Sequence, residues 1–296
     1  MRVVVAGSSG MIGTELVSAL RREGHDVLRL VRRASSAPDE RSWDPPAGKI
    51  EDGALDGADA VINLCGAAIT LTRLSNARKQ LLLDSRVEPT EVLATAVAER
   101  EIPLLVNASA VGYYGDTGGR VVDETTPPGT GFLSQMCKEW EAATQPAADA
   151  GARVAILRTG LVLSKEGGLL GPLRLLFSFM LGGRLGDGRQ YMPWIHHEDH
   201  INAVLHIINT EKLAGPVNMT GPNPVTNAEF TRALSRALGR PAPFVAPKFA
   251  LRLALGELAD EGALASQHVI PKALQDNGFT FRYNTVDEAL GSVAKR

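Results

Sequence analysis

Three glycines near the start of the chain carry the clearest chemical signal. The stretch AGSSGMIG, Ala6 to Gly13, spaces Gly7, Gly10 and Gly13 as GxxGxxG. It lies directly between an apolar run, Val3 to Ala6, and a helical pattern of Ile12, Leu16, Val17, Ala19 and Leu20. Gly7 allows a tight turn, Gly10 lets the backbone approach a pyrophosphate, and Gly13 allows a helix to pack closely on a sheet. The N–H groups and partial positive charge at the start of the helix then suit phosphate. A lone glycine triplet also fits a flexible turn, but its strand–turn–helix setting marks a dinucleotide site. At the end of the second apolar run, Val27 to Val31, an NAD site usually carries an acid for the ribose 2′-hydroxyl. This chain carries Arg32 and Arg33 there. An acid would repel a 2′-phosphate, whereas a guanidinium donates paired hydrogen bonds to it, so the expected cofactor is NADP.

The elements that must position this turn follow from periodicity. Further short apolar runs at Ala60 to Leu64, Leu104 to Ala108 and Arg153 to Leu157 read as buried strands. Helical stretches lie between them, at Ala77 to Glu99, where Pro89 is a candidate break, and at Phe132 to Ala150, with Pro146 near its end. Strand and helix in alternation predict an α/β fold, a Rossmann-like doubly wound parallel sheet. After residue 163 the loops lengthen and the strands shorten, which predicts a smaller mixed lobe over 164–296, with later segments rejoining the sheet. Thr226 to Glu229 and Thr285 to Glu288 read as capping boxes that open helices, and a further helix is expected from Phe249 to Asp260.

Composition narrows the function classes. The 31 basic and 33 acidic side chains leave a net charge of −2, too small a field to recruit nucleic acid or an anionic membrane. Cys65 and Cys137 are the two cysteines and stand in no metal or redox spacing, which suits a reducing compartment. Neither a signal peptide nor a membrane span is legible, so a cytoplasmic location is expected. The expected partner is a small-molecule substrate, with a homodimer conceivable.

Longer motifs carry a resemblance that runs nearly end to end. They are AGSSGMIG, WDPPAGKI from Trp43, DAVINLCGAAI from Asp59, DSRVEPT from Asp84, ASAVGYYG from Ala108, LRTGLVLS from Leu157, PWIHHEDH from Pro193, GPNPVTNAEF from Gly221 and SQHVIPKALQDNGFTF from Ser266. The chain resembles the extended short-chain dehydrogenase/reductase superfamily, in particular its atypical epimerase-family branch with a characteristic C-terminal domain, here from about residue 240. The resemblance implies an NADP-binding domain and a lobe that forms the substrate cleft. It implies that Gly7, Gly10, Met11, Ile12 and Gly13 line the pyrophosphate and that Arg32 takes the 2′-phosphate beside the Val31 backbone. Leu64 and Cys65 would follow the cofactor through their main chain, Arg86 would reach the cofactor or a substrate anion, and Leu161 would sit near the nicotinamide.

Most members of that superfamily move a proton with a Tyr-x-x-x-Lys pair while hydride passes to or from the nicotinamide. Here the corresponding segment reads FLSQMCKEWEAAT, Phe132 to Thr144. One register pairs Ser134 with Lys138 and the other pairs Leu133 with Cys137, so neither supplies a phenol. The ASAVGYYG turn offers replacements in Ser109, Tyr113 and Tyr114, which are the expected catalytic residues. A structural role for all three is the competing reading.

Other signals point away from chemistry. His196, His197 and His200 lie beside Glu198 and Asp199, but the spacing is not HExxH, so no metal site is expected; His196 and Asp199 instead turn inward and dock a loop. Cys137 reads as a packing residue. The segment Leu169 to Gly183 is apolar enough to wall a substrate pocket or face a partner. The chain therefore reads as an NADP(H)-dependent oxidoreductase or epimerase, the alternatives being a catalytically degenerate NADP-binding regulator and an ordinary NAD-using sugar-nucleotide epimerase.

Overall fold

Val3, Val4, Val5 and Ala6 have no exposed surface, because the strand they form lies in the middle of the main sheet. The computed structural model describes residues 1–69, 72–165 and 167–294. β1 (Arg2–Ala6) runs through the glycine turn into α1 (Met11–Arg22), followed by β2 (Asp26–Val31), β3 (Glu40–Asp44), β4 (Lys49–Ile50) and β5 (Ala60–Asn63). α2 (Asn76–Glu99) returns the chain to β6 (Leu104–Ala110). The short β7 (Val121–Val122), α3 (Phe132–Ala142) and α4 (Gln145–Asp149) then lead to β8 (Arg153–Thr159). β9 (Leu161–Leu163), α5 (Leu170–Ser178), β10 (Gly183–Leu185), β11 (Tyr191–Met192) and β12 (Trp194–His196) precede α6 (His197–Asn209) and β13 (Gly215–Met219). The C-terminal part holds β14 (Val225–Thr226), α7 (Asn227–Leu238), β15 (Phe244–Ala246), α8 (Lys248–Leu255), β16 (His268–Val269), α9 (Lys272–Asp276) and α10 (Val286–Val293).

The main sheet has eight strands in the order β13-β8-β6-β5-β1-β2-β3-β4, and every pairing except β3 with β4 is parallel. Strand order reverses between β1 and β5, which opens the crevice where ligands of such sheets bind. Helices cover both faces. α1 and α6 bury Leu16, Leu20, Ile201 and Val204 on one face, and α2 buries Leu93, Ala94 and Val97 on the other, with Ala147 of α4 beside them. The late segment Gly215–Met219 completes the sheet edge beside β8, so the chain leaves the sheet domain and returns to it.

Three helix expectations need correction. α2 runs unbroken through Pro89: the ring removes one N–H, but buried Leu82 before it and Leu93 and Val97 after it hold the axis. The stretch Phe132 to Ala150 is two helices, since Pro146 has no N–H for the carbonyl of Ala142 and instead occupies the opening turn of α4. Similarly, the helix expected from Phe249 to Asp260 is α8, ending at Gly256 with φ of 60°, followed by a wide turn over Ala259–Ala263. Both predicted capping boxes are present, at Thr226 with Glu229 and at Thr285 with Glu288.

The lobe is tied to the sheet at one tight crossing. Gly160, between β8 and β9, lets Leu161 N–H reach the Pro193 carbonyl at 2.7 Å, and a Cβ there would stand 2.1 Å from that carbonyl oxygen. Gly160→Ala should therefore cost about 1–3 kcal/mol through forced backbone displacement, read as a lower urea midpoint at unchanged slope.

Candidate functional site

The glycine turn has the geometry of a phosphate cradle. Gly7 has φ of 79°, and a Cβ on it would lie 2.7 Å from the carbonyl carbon of Leu64. A Cβ on Gly13 would lie 2.3 Å from the Gly7 oxygen, so the first turn of α1 rests directly on the turn that precedes it. Gly10 is the N-cap; it offers no side-chain cap, and no acid stands in the first helical turn. The N–H groups of Met11, Ile12 and Gly13 thus keep their donor capacity and the positive end of the helix dipole, which suits an anion.

At the end of β2 the two arginines have different surroundings. Arg33 donates to both oxygens of Glu40, at 2.8 and 2.7 Å, and that pairing holds the buried Glu40 carboxyl down at about 2. Arg32 follows Val31 on the surface and has no hydrogen bond or ion pair among the described residues. Its positive charge is felt at the Cys65 thiol, so it stands on the same side as the end of β5. Leu64 and Cys65 border the turn there: Leu64 N–H donates to the Ala6 carbonyl at 3.0 Å, and Cys65 N–H donates to the Asn63 side chain at 3.0 Å.

Arg86 is buried on α2 and reaches the same loop. It donates to the Ala67 carbonyl at 3.0 Å and the Leu82 carbonyl at 2.9 Å, and its guanidinium lies 5.1 Å from the Trp140 ring centre. Its Nε has no partner among the described residues, and burial lowers its pKa. Leu161, half-buried at the start of β9, pairs with Trp194 of β12, and no contact among the described residues joins it to this turn.

The ASAVGYYG turn sits over a buried ionic network. Ser109 Oγ donates to Glu141 at 2.6 Å, and Arg158 pairs with the same carboxylate at 2.9 and 2.8 Å. Arg158 also donates to the Tyr114 hydroxyl at 3.0 Å, which in turn donates to Asn218 at 2.7 Å. The Arg158 guanidinium stacks 3.4 Å from the centre of the Tyr113 ring. A second network under β5 and β6 joins Asn63, Thr90, Asn107 and the Trp140 indole at 2.8–3.2 Å.

A family model described as the NAD dependent epimerase/dehydratase family matches residues 3–219, and a domain of unknown function (DUF1731) matches residues 246–293. The chain belongs to the NAD dependent epimerase/dehydratase family. The epimerase family protein ML0860 of Mycobacterium leprae is 54% identical to it over 99% of this chain and 96% of that protein. The crystal structure of human epimerase family protein SDR39U1 with NADPH matches with a TM-score of 0.91 at 32% identity, covering 99% of each chain. A nucleoside-diphosphate sugar epimerase from Corynebacterium glutamicum matches with a TM-score of 0.82 at 37% identity, covering 99% of this chain and 58% of that one.

Within this epimerase-family protein the structure decides which register of α3 faces the turn. A Cβ on Gly112 would lie 3.5 Å from Leu133 Cβ and 3.7 Å from Cys137 Sγ, and Glu141 continues that face to Ser109. Lys138 is exposed and points to Gln135. Leu133 and Cys137 therefore face the turn, and Lys138 does not. Burial pushes both thiols, Cys65 and Cys137, up to about 12, so neither is a nucleophile at neutral pH.

Two of the three expected catalytic side chains are buried and hydrogen-bonded within the network. Tyr114 is 2% exposed, its hydroxyl is fully engaged, and burial pushes its phenol up to about 12. Ser109 is 4% exposed and spends its proton on Glu141. Tyr113 alone stays half-buried, held by Arg158 and by the edge of the Tyr114 ring. Glu141, Arg158, Asn218, Asn63, Asn107 and Thr90 were missed by the sequence reading. Their signal was weak: polar residues within apolar strand and helix patterns, which in the structure satisfy one another.

The histidine cluster docks the C-terminal segment as expected. Asp199 accepts from the N–H groups of Arg282 and Tyr283 at 2.8 and 3.0 Å. His196, His197 and Glu198 bring potential metal-ligand atoms within 4.8 Å, but His196 Nδ1 accepts from Glu198 N–H. Because Ser292 donates to Ala289, His196 Nε2 must donate to Ser292, which leaves His196 no lone pair for an ion.

Removing the Arg158 cation should be severe. Arg158→Met leaves Glu141 buried and unpaired, an expected loss of about 3–5 kcal/mol in chemical unfolding, which an Arg158→Met/Glu141→Leu pair largely restores. Buried His200, pushed down to about 4 by desolvation, binds its proton more weakly folded than unfolded. The unfolded chain therefore takes up that proton first as pH falls through about 6.5, and stability drops between there and about pH 4. The difference between wild type and His200→Phe should accordingly narrow on acidification, by up to about 1.4 kcal/mol per pH unit.

Proposed function

We propose that this chain is an NADP(H)-dependent oxidoreductase or epimerase that acts on a small molecule by reversible hydride transfer. The observation that carries the cofactor choice is the free Arg32 at the end of β2, beside an Arg33 already committed to Glu40. The residues fit the group: the turn has no room for a Cβ at Gly7 or Gly13, and Gly10 leaves the helix end uncapped. The N–H groups of Met11, Ile12 and Gly13 would hold the pyrophosphate, Arg32 the 2′-phosphate next to Val31, and the Leu64–Cys65 main chain the ribose side. Arg86 has one buried donor, without a partner among the described residues, to offer an anion. Leu161 would border the nicotinamide. The human relative solved with NADPH supports the same choice. When bound, the nicotinamide supplies the hydride or accepts it.

Tyr113 is the phenol we assign to proton transfer. It is the one tyrosine of the turn that remains accessible, and the Arg158 stack fixes its ring. Leu133 and Cys137 on the face of α3 towards the turn favour a second reading, an NADP-binding regulator without turnover. The two part on one comparison: with NADPH and a panel of carbonyl substrates, Tyr113→Phe should abolish NADPH oxidation while NADPH affinity is unchanged, and Lys138→Ala should leave both intact. Wild-type protein that binds NADPH but oxidises none of it would favour the regulator. Arg32→Ala should weaken NADPH binding roughly tenfold to a hundredfold, the worth of one charge-assisted contact, and leave NADH binding unchanged.

A further inference from the structure

Tyr113 sits in a one-turn helix, Val111–Tyr114, and is held by its ring and by its main chain. The ring lies against Arg158, and the carbonyl accepts from Ser134 Oγ at 2.8 Å and from the Gly129 N–H at 2.9 Å. One further side chain, from the far end of the sequence, joins the two ends of that turn. Gln267 Nε2 donates to the Val111 carbonyl at 3.1 Å and to the Gly115 carbonyl at 3.3 Å. An amide nitrogen has two hydrogens, and here each has its own carbonyl. The amide is thereby oriented, since turning it over would set its oxygen against two carbonyl oxygens.

Gln267 belongs to the C-terminal domain, and its main chain is fixed independently of its side chain. Gln267 N–H donates to the Tyr191 carbonyl at 3.1 Å. On either side of it, Thr117 N–H donates to the Ser266 carbonyl at 2.7 Å and Ile270 N–H to the Val122 carbonyl at 3.0 Å. β16 pairs with β7, and Val269 is buried in one cluster with Val111 and Tyr114. Changing the Gln267 side chain therefore leaves the strap 266–270 docked and removes only its hold on the turn. The two ends of the turn are then free to part.

We propose that Gln267 is a positioning residue for the proton transfer assigned to Tyr113, and that through it the C-terminal domain sets where the phenol stands. This rests on the hydride-transfer reading above. Gln267 acts through the main chain of the turn alone: it keeps the turn closed, so that the ring stacked on Arg158 presents its hydroxyl in one place.

The test reads Tyr113 directly, by fluorine NMR of the full chain with NADP⁺ added and 3-fluorotyrosine in place of its four tyrosines. Tyr113→Phe assigns the signal. The Tyr191 ring stacks on His268 with centres 3.8 Å apart, so its line reports whether the strap is docked, and Tyr283, stacked on His196, is the fixed reference. Gln267→Leu should move or split the Tyr113 line and leave those of Tyr191 and Tyr283 in place. Gln267→Glu separates the hydrogen bonds from bulk: its carboxylate would face both carbonyls as a third oxygen, whereas its acid form can donate to one of them. Its Tyr113 line should thus return towards the wild-type position as pH falls from about 8 to about 5, while that of Gln267→Leu stays where it is. In unlabelled protein, with 9,10-phenanthrenequinone as hydride acceptor, Gln267→Leu should lower kcat about tenfold to a hundredfold at unchanged KM and NADPH affinity. A Tyr113 line that stays in place in both variants overturns the proposal, as does a moved line with unchanged kcat. A Tyr191 line that moves together with that of Tyr113 assigns Gln267 to docking the domain and also overturns it. The two levels separate: if Tyr113→Phe keeps wild-type turnover, the proton-transfer reading fails; if it loses turnover and Gln267→Leu does not, only the positioning role fails.

Discussion

The contact of Gly13 with the Gly7 carbonyl is the constraint on which the site depends. With a Cβ at Gly13 only 2.3 Å from that oxygen, no other residue lets α1 begin so close to the end of β1. The same closeness aims the open end of the helix into the crevice where strand order reverses, between β1 and β5. Leu64 closes the third side, because its backbone lies where a Gly7 side chain would go. The geometry of the turn is thus set by what is missing from Gly7 and Gly13, and Arg32 stands exposed and without an ion pair among the described residues.

The reaction side rests on a different kind of interaction. Arg158 and Glu141 bring a full ion pair into the interior, with further hydrogen bonds to Ser109, Tyr114 and the Glu124 carbonyl and the Tyr113 ring stacked on the guanidinium. Burying such a pair costs desolvation, which good geometry and added hydrogen bonds offset. In return it fixes a strand end, a helix and a turn around Tyr113. Arg158 of β8 thereby holds a tyrosine of the turn that precedes α3. Glu261 adds a tie from the C-terminal part, accepting from the N–H groups of Phe132 and Leu133 at the start of α3. That contact couples the position of α3 to the segment that carries α8.

How much was legible in the sequence followed the range of the interactions. The glycine turn was legible because spacing alone encodes it, and the parallel sheet because each buried strand is a short apolar run. Helix breaks were misjudged in both directions. Pro89 was tolerated because packing on either side of it outweighs one lost hydrogen bond, while Pro146 ended the helical run from Phe132 and took the opening turn of a new helix. The choice between Arg32 and Arg33 was not legible, since it is made by Glu40, seven residues further on and buried only once β3 is in place. The catalytic turn was half legible. Its residues could be named from the motif, but only the structure shows that the hydroxyls of Ser109 and Tyr114 are held by partners drawn from α3, β8 and β13.

The seat of the 2′-phosphate can be observed directly, by phosphorus NMR of NADP⁺ bound to the protein across a pH titration. A free phosphate monoester gains its proton near pH 6. Seated on Arg32, the 2′-phosphate should stay dianionic well below that pH, and Arg32→Ala should return its titration towards the free value while Arg33→Ala does not. A bound 2′-phosphate that titrates like free NADP⁺, or one indifferent to the loss of Arg32, would contradict the assignment.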